Sequence, residues 1–143
     1  MKKLISTLVF SALAAGAGLA QAQSTLLVEF QGPGGHSSSN YGRTSALHAA
    51  ARSVMALQKS GLPAGSYAVS DLSGGNSVNS IASDGKFVAT LNPASGVSSS
   101  DFLAKVTEAA RVGASAENAF RNVKAGDLTA GAPADIRYAV KPR

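Results

Sequence analysis

The sequence predicts an α+β domain of ferredoxin-like βαββαβ form, a four-stranded antiparallel sheet with two helices on one face. Two observations carry this. Apolar residues recur with period two in four short segments and with helical spacing in two longer ones. The order of those segments is strand, helix, strand, strand, helix, strand, which suits two split β-α-β halves sharing one sheet.

In the first strand, Thr25 to Gln31, the residues Leu26, Val28 and Phe30 alternate around Glu29, as in a strand with one buried face. A glycine-rich loop follows, Gly32-Pro33-Gly34-Gly35-His36-Ser37-Ser38-Ser39, carrying one of two histidines. Thr44 to Lys59 reads as a helix with Leu47, Ala50, Ala51, Val54 and Leu57 on its apolar face and His48, Arg52 and Lys59 on its wet one. Gly61 and Pro63 end it. The second strand runs from Ser66 to Leu72 into a turn at Ser73-Gly74-Gly75-Asn76-Ser77. In the third, Phe87, Ala89 and Leu91 alternate with Val88 and Thr90 before Asn92-Pro93 stops the strand.

The second helix starts at Ser98 to Ser100, where a hydroxyl can cap the first turn and Asp101 suits the positive end of the helix dipole. Its buried stripe reads as Phe102, Leu103, Val106, Ala109, Ala110, Ala116, Phe120 and Val123. Asp101/Lys105 and Glu117/Arg121 read as exposed pairs four apart, and Gly113 as a weak point. A connection rich in glycine, alanine and proline, Gly126 to Pro133, leads to the last strand, where Ile136, Tyr138 and Val140 alternate with Arg137, Ala139 and Lys141.

Residues 1–22 read as an export signal: Lys2 and Lys3, an apolar core from Leu4 to Leu19, and the small-x-small site Ala20-Gln21-Ala22. The domain is then residues 23–143, expected in the periplasm or outside the cell. The apolar core is short for a span, no second one follows, and the chain has no cysteine to lipidate, so no membrane association is expected after cleavage. The remaining 121 of 143 residues suffice for one core, held without disulfides. Without Lys2 and Lys3, eleven bases face eight acids, a net charge of about +3 scattered singly, which excludes a nucleic-acid footprint.

The glycine loop fails the familiar catalytic patterns. A dinucleotide fingerprint needs a third glycine where Ser37 stands and an acid about 20 residues on, yet none lies between Glu29 and Asp71. A phosphate-binding P-loop needs lysine where Arg43 stands, at another spacing. His36 beside Ser37 supplies neither a nucleophile elbow nor an orienting acid. Two histidines and no cysteine make a poor zinc ligand set.

The stretch GPGGHSSSNYGRTSALHAAARSVMAL resembles the opening of the dimerisation, or lid, domain of the zinc-dependent exopeptidase family that includes aminoacylases, carboxypeptidase-type enzymes and tripeptide aminopeptidases. SDLSGGNSVNSIASDGKFVATLNP resembles that family's Gly-Gly-x-x-x-Asn-x-Ile-Pro turn and the strand after it, and EAARVGASAENAF the end of the lid's second helix. The resemblance implies a lid inserted between two halves of a metal-binding catalytic domain. The histidine of its glycine loop would reach into the partner's active site to polarise the scissile carbonyl, and the turn's asparagine would line the same region. His36 and Asn79 occupy those positions, with Gly35 and Gly75 in the two glycine turns; Ala82 stands in place of the turn's proline and Asn92 in place of an arginine that commonly closes the next strand.

In this sequence the export signal abuts the lid and the chain stops after the lid's last strand. The expectation is therefore a non-catalytic interaction module with no catalytic residue, no metal and no cofactor. Pairing as lids do would make it a homodimer through the second strand, at Tyr67, Val69 and Asp71, and the first helix. Two alternatives stay open: an accessory subunit donating His36 in trans to a separate metallopeptidase catalytic subunit, and a binder of small peptides or anions at the glycine loop. Each residue also has a plainer reading. His36, Gly74, Gly75 and Asn79 would serve turns, His48 would be solvated, Ser98 to Ser100 would cap a helix, Arg137 and Lys141 would line a wet sheet face, and Tyr67 and Tyr138 would pack at the core edge.

Overall fold

Alternating burial of Leu26, Val28 and Phe30 makes β1 (Thr25–Gln31) the strand on which the sheet assembles. The computed structural model describes residues 24–143, so the expected export signal and its cleavage site lie outside the described residues. β1 pairs antiparallel with β5 (Asp84–Leu91) and β8 (Arg137–Pro142), and β5 with β3 (Tyr67–Gly74), giving the order β3-β5-β1-β8. This is the expected ferredoxin-like arrangement. Phe87, Ala89 and Leu91 of β5 join the β1 residues beneath α1 (Ala46–Gln58) and α2 (Ser99–Phe120), where Phe87, Phe102, Leu26 and Leu57 are fully buried. Each such side chain contributes about 1.5–3 kcal/mol. As expected, Tyr138 packs at the core edge against Phe30 and Tyr67 against Phe102, with ring centroids 6.4 and 6.3 Å apart.

The helices turn differently from the sequence expectation. The buried face of α1 is Ala46, Ala49, Ala50, Ser53 and Leu57; Leu47, Ala51 and Val54 flank it half-buried. Large apolar residues dominate a periodicity, but two helices approach closely only where side chains are small, and α2 supplies Gly113 at that point. A Cβ on Gly113 would fall on Ser53 Oγ and lie 2.6 Å from Ala49 O, so this glycine is the helix contact rather than a weak point.

The stripe of α2 is Phe102, Val106, Ala109, Ala110, Gly113, Ala114 and Glu117. Leu103 and Phe120 are 37% and 65% exposed, while Ala116 and Val123 are half-buried. Phe120 lies outside the core beneath the guanidinium groups of Arg52 and Arg121, each 4.9 Å from its ring centroid.

Neither expected exposed pair forms as such. Glu117 is completely buried, accepting from Ser45 N at 3.0 Å, Arg52 Nε at 3.1 Å and Arg121 Nε at 3.2 Å. Asp101 turns back to the N-cap serine, Ser98, instead of meeting Lys105. The capping of α2 by Ser98 is as expected, and Ser45 caps α1. The glycine-, alanine- and proline-rich connection contains a hairpin, β6 (Leu128–Thr129) and β7 (Ala132–Pro133), turned by Ala130 and Gly131 at positive φ.

Gly113→Ala gains about 1 kcal/mol of helix propensity but forces two backbones apart at a cost of about 1–3 kcal/mol. A lower urea midpoint is expected, partly recovered by adding Ser53→Gly; an unchanged or raised midpoint for Gly113→Ala alone would contradict this contact.

Candidate functional site

The glycine loop is not a free loop. Its residues form β2 (Gly35–His36), which pairs antiparallel with β4 (Ser80–Ile81), His36 standing opposite Ser80 and Gly35 opposite Ile81. Ser37 N donates to Asn79 O at 2.9 Å and Gly32 N to Ser83 O at 2.9 Å, so the ladder extends on both sides. Gly35 sits at φ 131°, where a Cβ would meet the Asn40 and Arg43 side chains, and Asn40 closes the following turn by donating its N and Nδ2 to His36 O, each at 3.0 Å.

This ladder brings together the two residues singled out for site roles. His36 Nε2 lies 3.0 Å from Asn79 Nδ2, and His36 Nδ1 lies 2.9 Å from Ser38 Oγ; Ser77 Oγ donates to Asn79 Oδ1 at 2.8 Å. The Asn79 amide nitrogen faces Nε2, and the Ser38 N–H donates to Nδ1 at 3.3 Å, so each ring nitrogen meets a donor of the chain. Both nitrogens of this exposed imidazole are thus engaged within the chain. For Nε2 to meet any other group, His36 must first release the Asn79 amide.

The other expected residues lie elsewhere. Gly75, at φ 79°, donates its N–H to Asp84 Oδ1 at 3.2 Å and serves the turn after β3, away from the imidazole's own partners. Ala82, where the family turn has proline, is buried and accepts from Ala46 N at 2.9 Å, tying the turn to the start of α1. Asn92 caps the short 3₁₀ turn Pro93–Ser95 and donates to Gly65 O at 3.2 Å, a structural duty. His48 is exposed as expected, although its Nδ1 stands 3.9 Å from the buried Glu117 Oε1. Among the described residues, no three His, Cys, Asp or Glu side chains converge as metal ligands.

β3 is an edge strand. Tyr67 and Val69 are half-buried against the core, and burial pushes the Tyr67 phenol above its ordinary pKa. The strand expected from Ser66 to Leu72 is broken by a bulge between Ser70 and Ser73, where Asp71 takes φ 56° and meets Arg143 Nη1 at 3.3 Å. Arg43, Arg52 and Arg121 carry no motif and were absent from the sequence reading of the site. The small-residue spacing Ala46, Ala49, Ala50, Ser53 was the one available hint of how close the helices stand.

The model of one protein family, the peptidase dimerisation domain, matches residues 17–118. The chain belongs to this family. The domain is similar in fold to part of an aminobenzoyl-glutamate utilization protein from Klebsiella pneumoniae, at 17% identity and a TM-score of 0.54, with 83% of this chain and 27% of that one covered. A hydantoinase/carbamoylase family amidase from Burkholderia ambifaria gives 18% and 0.56, with 83% and 26% covered. One from Burkholderia vietnamiensis gives 22% and 0.51, with 82% and 26% covered. The chain thus spans about a quarter of the length of these structures. No curated protein matches it.

Asn79→Ala removes the donor facing Nε2 from an exposed pair, so stability should fall by no more than about 1 kcal/mol. The ring ¹⁵N shifts of His36 should move as Nε2 loses its neighbour; shifts unchanged from wild type would show that Asn79 does not meet the ring.

Proposed function

We propose that this chain acts as an exported, non-catalytic dimerisation module in which a second copy docks along β3 and α1. The observation that carries the reading is the difference between the two sheet edges. β8 presents Arg137, Lys141 and Pro142, charges and a proline that discourage strand pairing. β3 offers Tyr67 to Ser70 with no charge, and its one acid, Asp71, stands at the bulge with Arg143 as its ion-pair partner.

Beside this edge runs an apolar groove of about 490 Å³ between α1 and β3, lined by Val54, Leu62, Tyr67 and Val69. A stable dimer buries about 800 Å² per partner, more than one short strand supplies, so the helix and groove must take part. Two copies related by a two-fold axis would then extend both the sheet and the helix layer.

A second reading, an accessory subunit lending His36 to a separate metallopeptidase catalytic subunit, draws support from the His36–Asn79 pair. A two-residue ladder holds these side chains together at the surface, where a partner can reach them.

Lysine at Val69 would charge a half-buried core position, so the edge is tested at its exposed neighbours. Ala68→Lys with Ser70→Lys should leave the fold intact and move the light-scattering mass from dimer to monomer. A wild-type monomer at the highest attainable concentration, or a variant that stays dimeric, rules this interface out.

The export reading has its own check. The full-length chain should be cut after Ala22 and recovered outside the cytoplasm, and an uncut cytoplasmic protein would sink it.

A further inference from the structure

The hydrogen-bond pattern of β3 fixes the register in which a second copy can meet it. Asn92 N donates to Ser66 O at 2.8 Å, so Tyr67 and Leu91, which follow in register, form a non-hydrogen-bonded pair, and Ala68 turns its backbone N–H and C=O toward Thr90 of β5. By the same alternation, the N–H and C=O of Tyr67 and Val69 point away from the sheet. Extended backbone stops on either side of this stretch. Asp71 takes φ 56° at the bulge, and Gly65 takes φ 75° in the turn before the strand. Tyr67 and Val69 lie half-buried on the helix side, and Ala68 and Ser70 are exposed on the other.

Only a two-fold axis perpendicular to the sheet joins two such edges with both helix layers on one side, and it pairs the strands antiparallel. Directly opposed residues then share a face, so the axis passes through one residue and its own copy. An axis at Tyr67 sets Val69 against Gly65, and an axis at Val69 sets Tyr67 against Asp71; each puts a left-handed residue where a bonded pair is needed. An axis at Ala68 sets Tyr67 against Val69 of the second copy and Val69 against its Tyr67, so both outward-facing residues bond. We propose that two copies pair in this register, Ala68 facing Ala68 on the axis. Tyr67 and Val69 then alternate along the helix side of the seam, at the mouths of the two grooves they line with Val54 and Leu62. This register presupposes that two copies pair along β3.

The chain has no cysteine, so a single introduced one reports on its own copy. Opposed residues of a non-hydrogen-bonded pair stand about 4.5 Å apart at Cα, within the disulfide range of about 4.4–6.8 Å, whereas Val69 or Ser70 lies more than about 7 Å from its own copy in this register. Under mild oxidation Ala68→Cys should give a covalent dimer at least about tenfold faster than Ser70→Cys, which is equally placed on the exposed face, or Val69→Cys. Circular dichroism checks that all three variants fold, and light scattering that they are dimeric before oxidation. A dimer in which Ala68→Cys stays reduced, or in which Val69→Cys or Ser70→Cys closes as fast, overturns the register and leaves pairing along β3 standing. A wild-type chain that is monomeric overturns both.

Discussion

A carboxylate with no access to solvent sits where the start of α1 meets the end of α2. Taking Glu117 out of water costs several kcal/mol, which is offset only while each oxygen is hydrogen-bonded and a positive charge stands close. Ser45 N, Arg52 and Arg121 meet that demand, so the start of α1 must lie against the end of α2. Neighbouring bonds extend the constraint. Asn118 Oδ1 accepts from Ile136 N at 2.7 Å, and Thr44 Oγ1 donates to Ala134 O at 2.6 Å, so the segments leading into α1 and β8 are held at the same junction. Arg52 and Arg121 also cover Phe120, which keeps their side chains over the carboxylate.

The close crossing of the helices is the second consequence of that junction. Gly113 against Ser53 and Ala49 lets α1 and α2 nest together above β1 and β5. With the helix layer drawn tight, the flank of α1 beside β3 stays open, and Val54, Leu62, Tyr67 and Val69 remain half-buried along it. This seam runs beside the stretch of β3, Tyr67 to Ser70, that carries no charge.

The same organisation positions the polar features. His36 and Asn79, 43 residues apart, meet because β2 and β4 pair, and that ladder is anchored through Ala82 O to the first residue of α1. The imidazole is therefore presented on hydrogen-bonded backbone, with Asn79 and Ser38 at its two nitrogens. Arg43 and Arg121 line one cleft, Arg121 held by Glu117 and Arg43 by Gly34 O.

The sequence by itself determined the elements whose signals are local. Alternation at Leu26, Val28 and Phe30 reports burial because a strand shows every second side chain to one face, and Ser98 marks a helix start because its oxygen bonds a backbone N–H three residues on. The ferredoxin-like order follows from the succession of such elements, and the family likeness of the glycine loop and the Asn79 turn singled out His36 and Asn79. Tertiary structure alone decided which face of each helix is buried, because Glu117 and Gly113 owe their burial to Arg52, Ser45 and Ser53, more than 50 residues away in the chain. The same holds for the bulge at Asp71 and the pairing of His36 with Asn79. Hydropathy scores a residue by its own transfer from water, whereas a buried carboxylate is stable only through partners that folding brings to it.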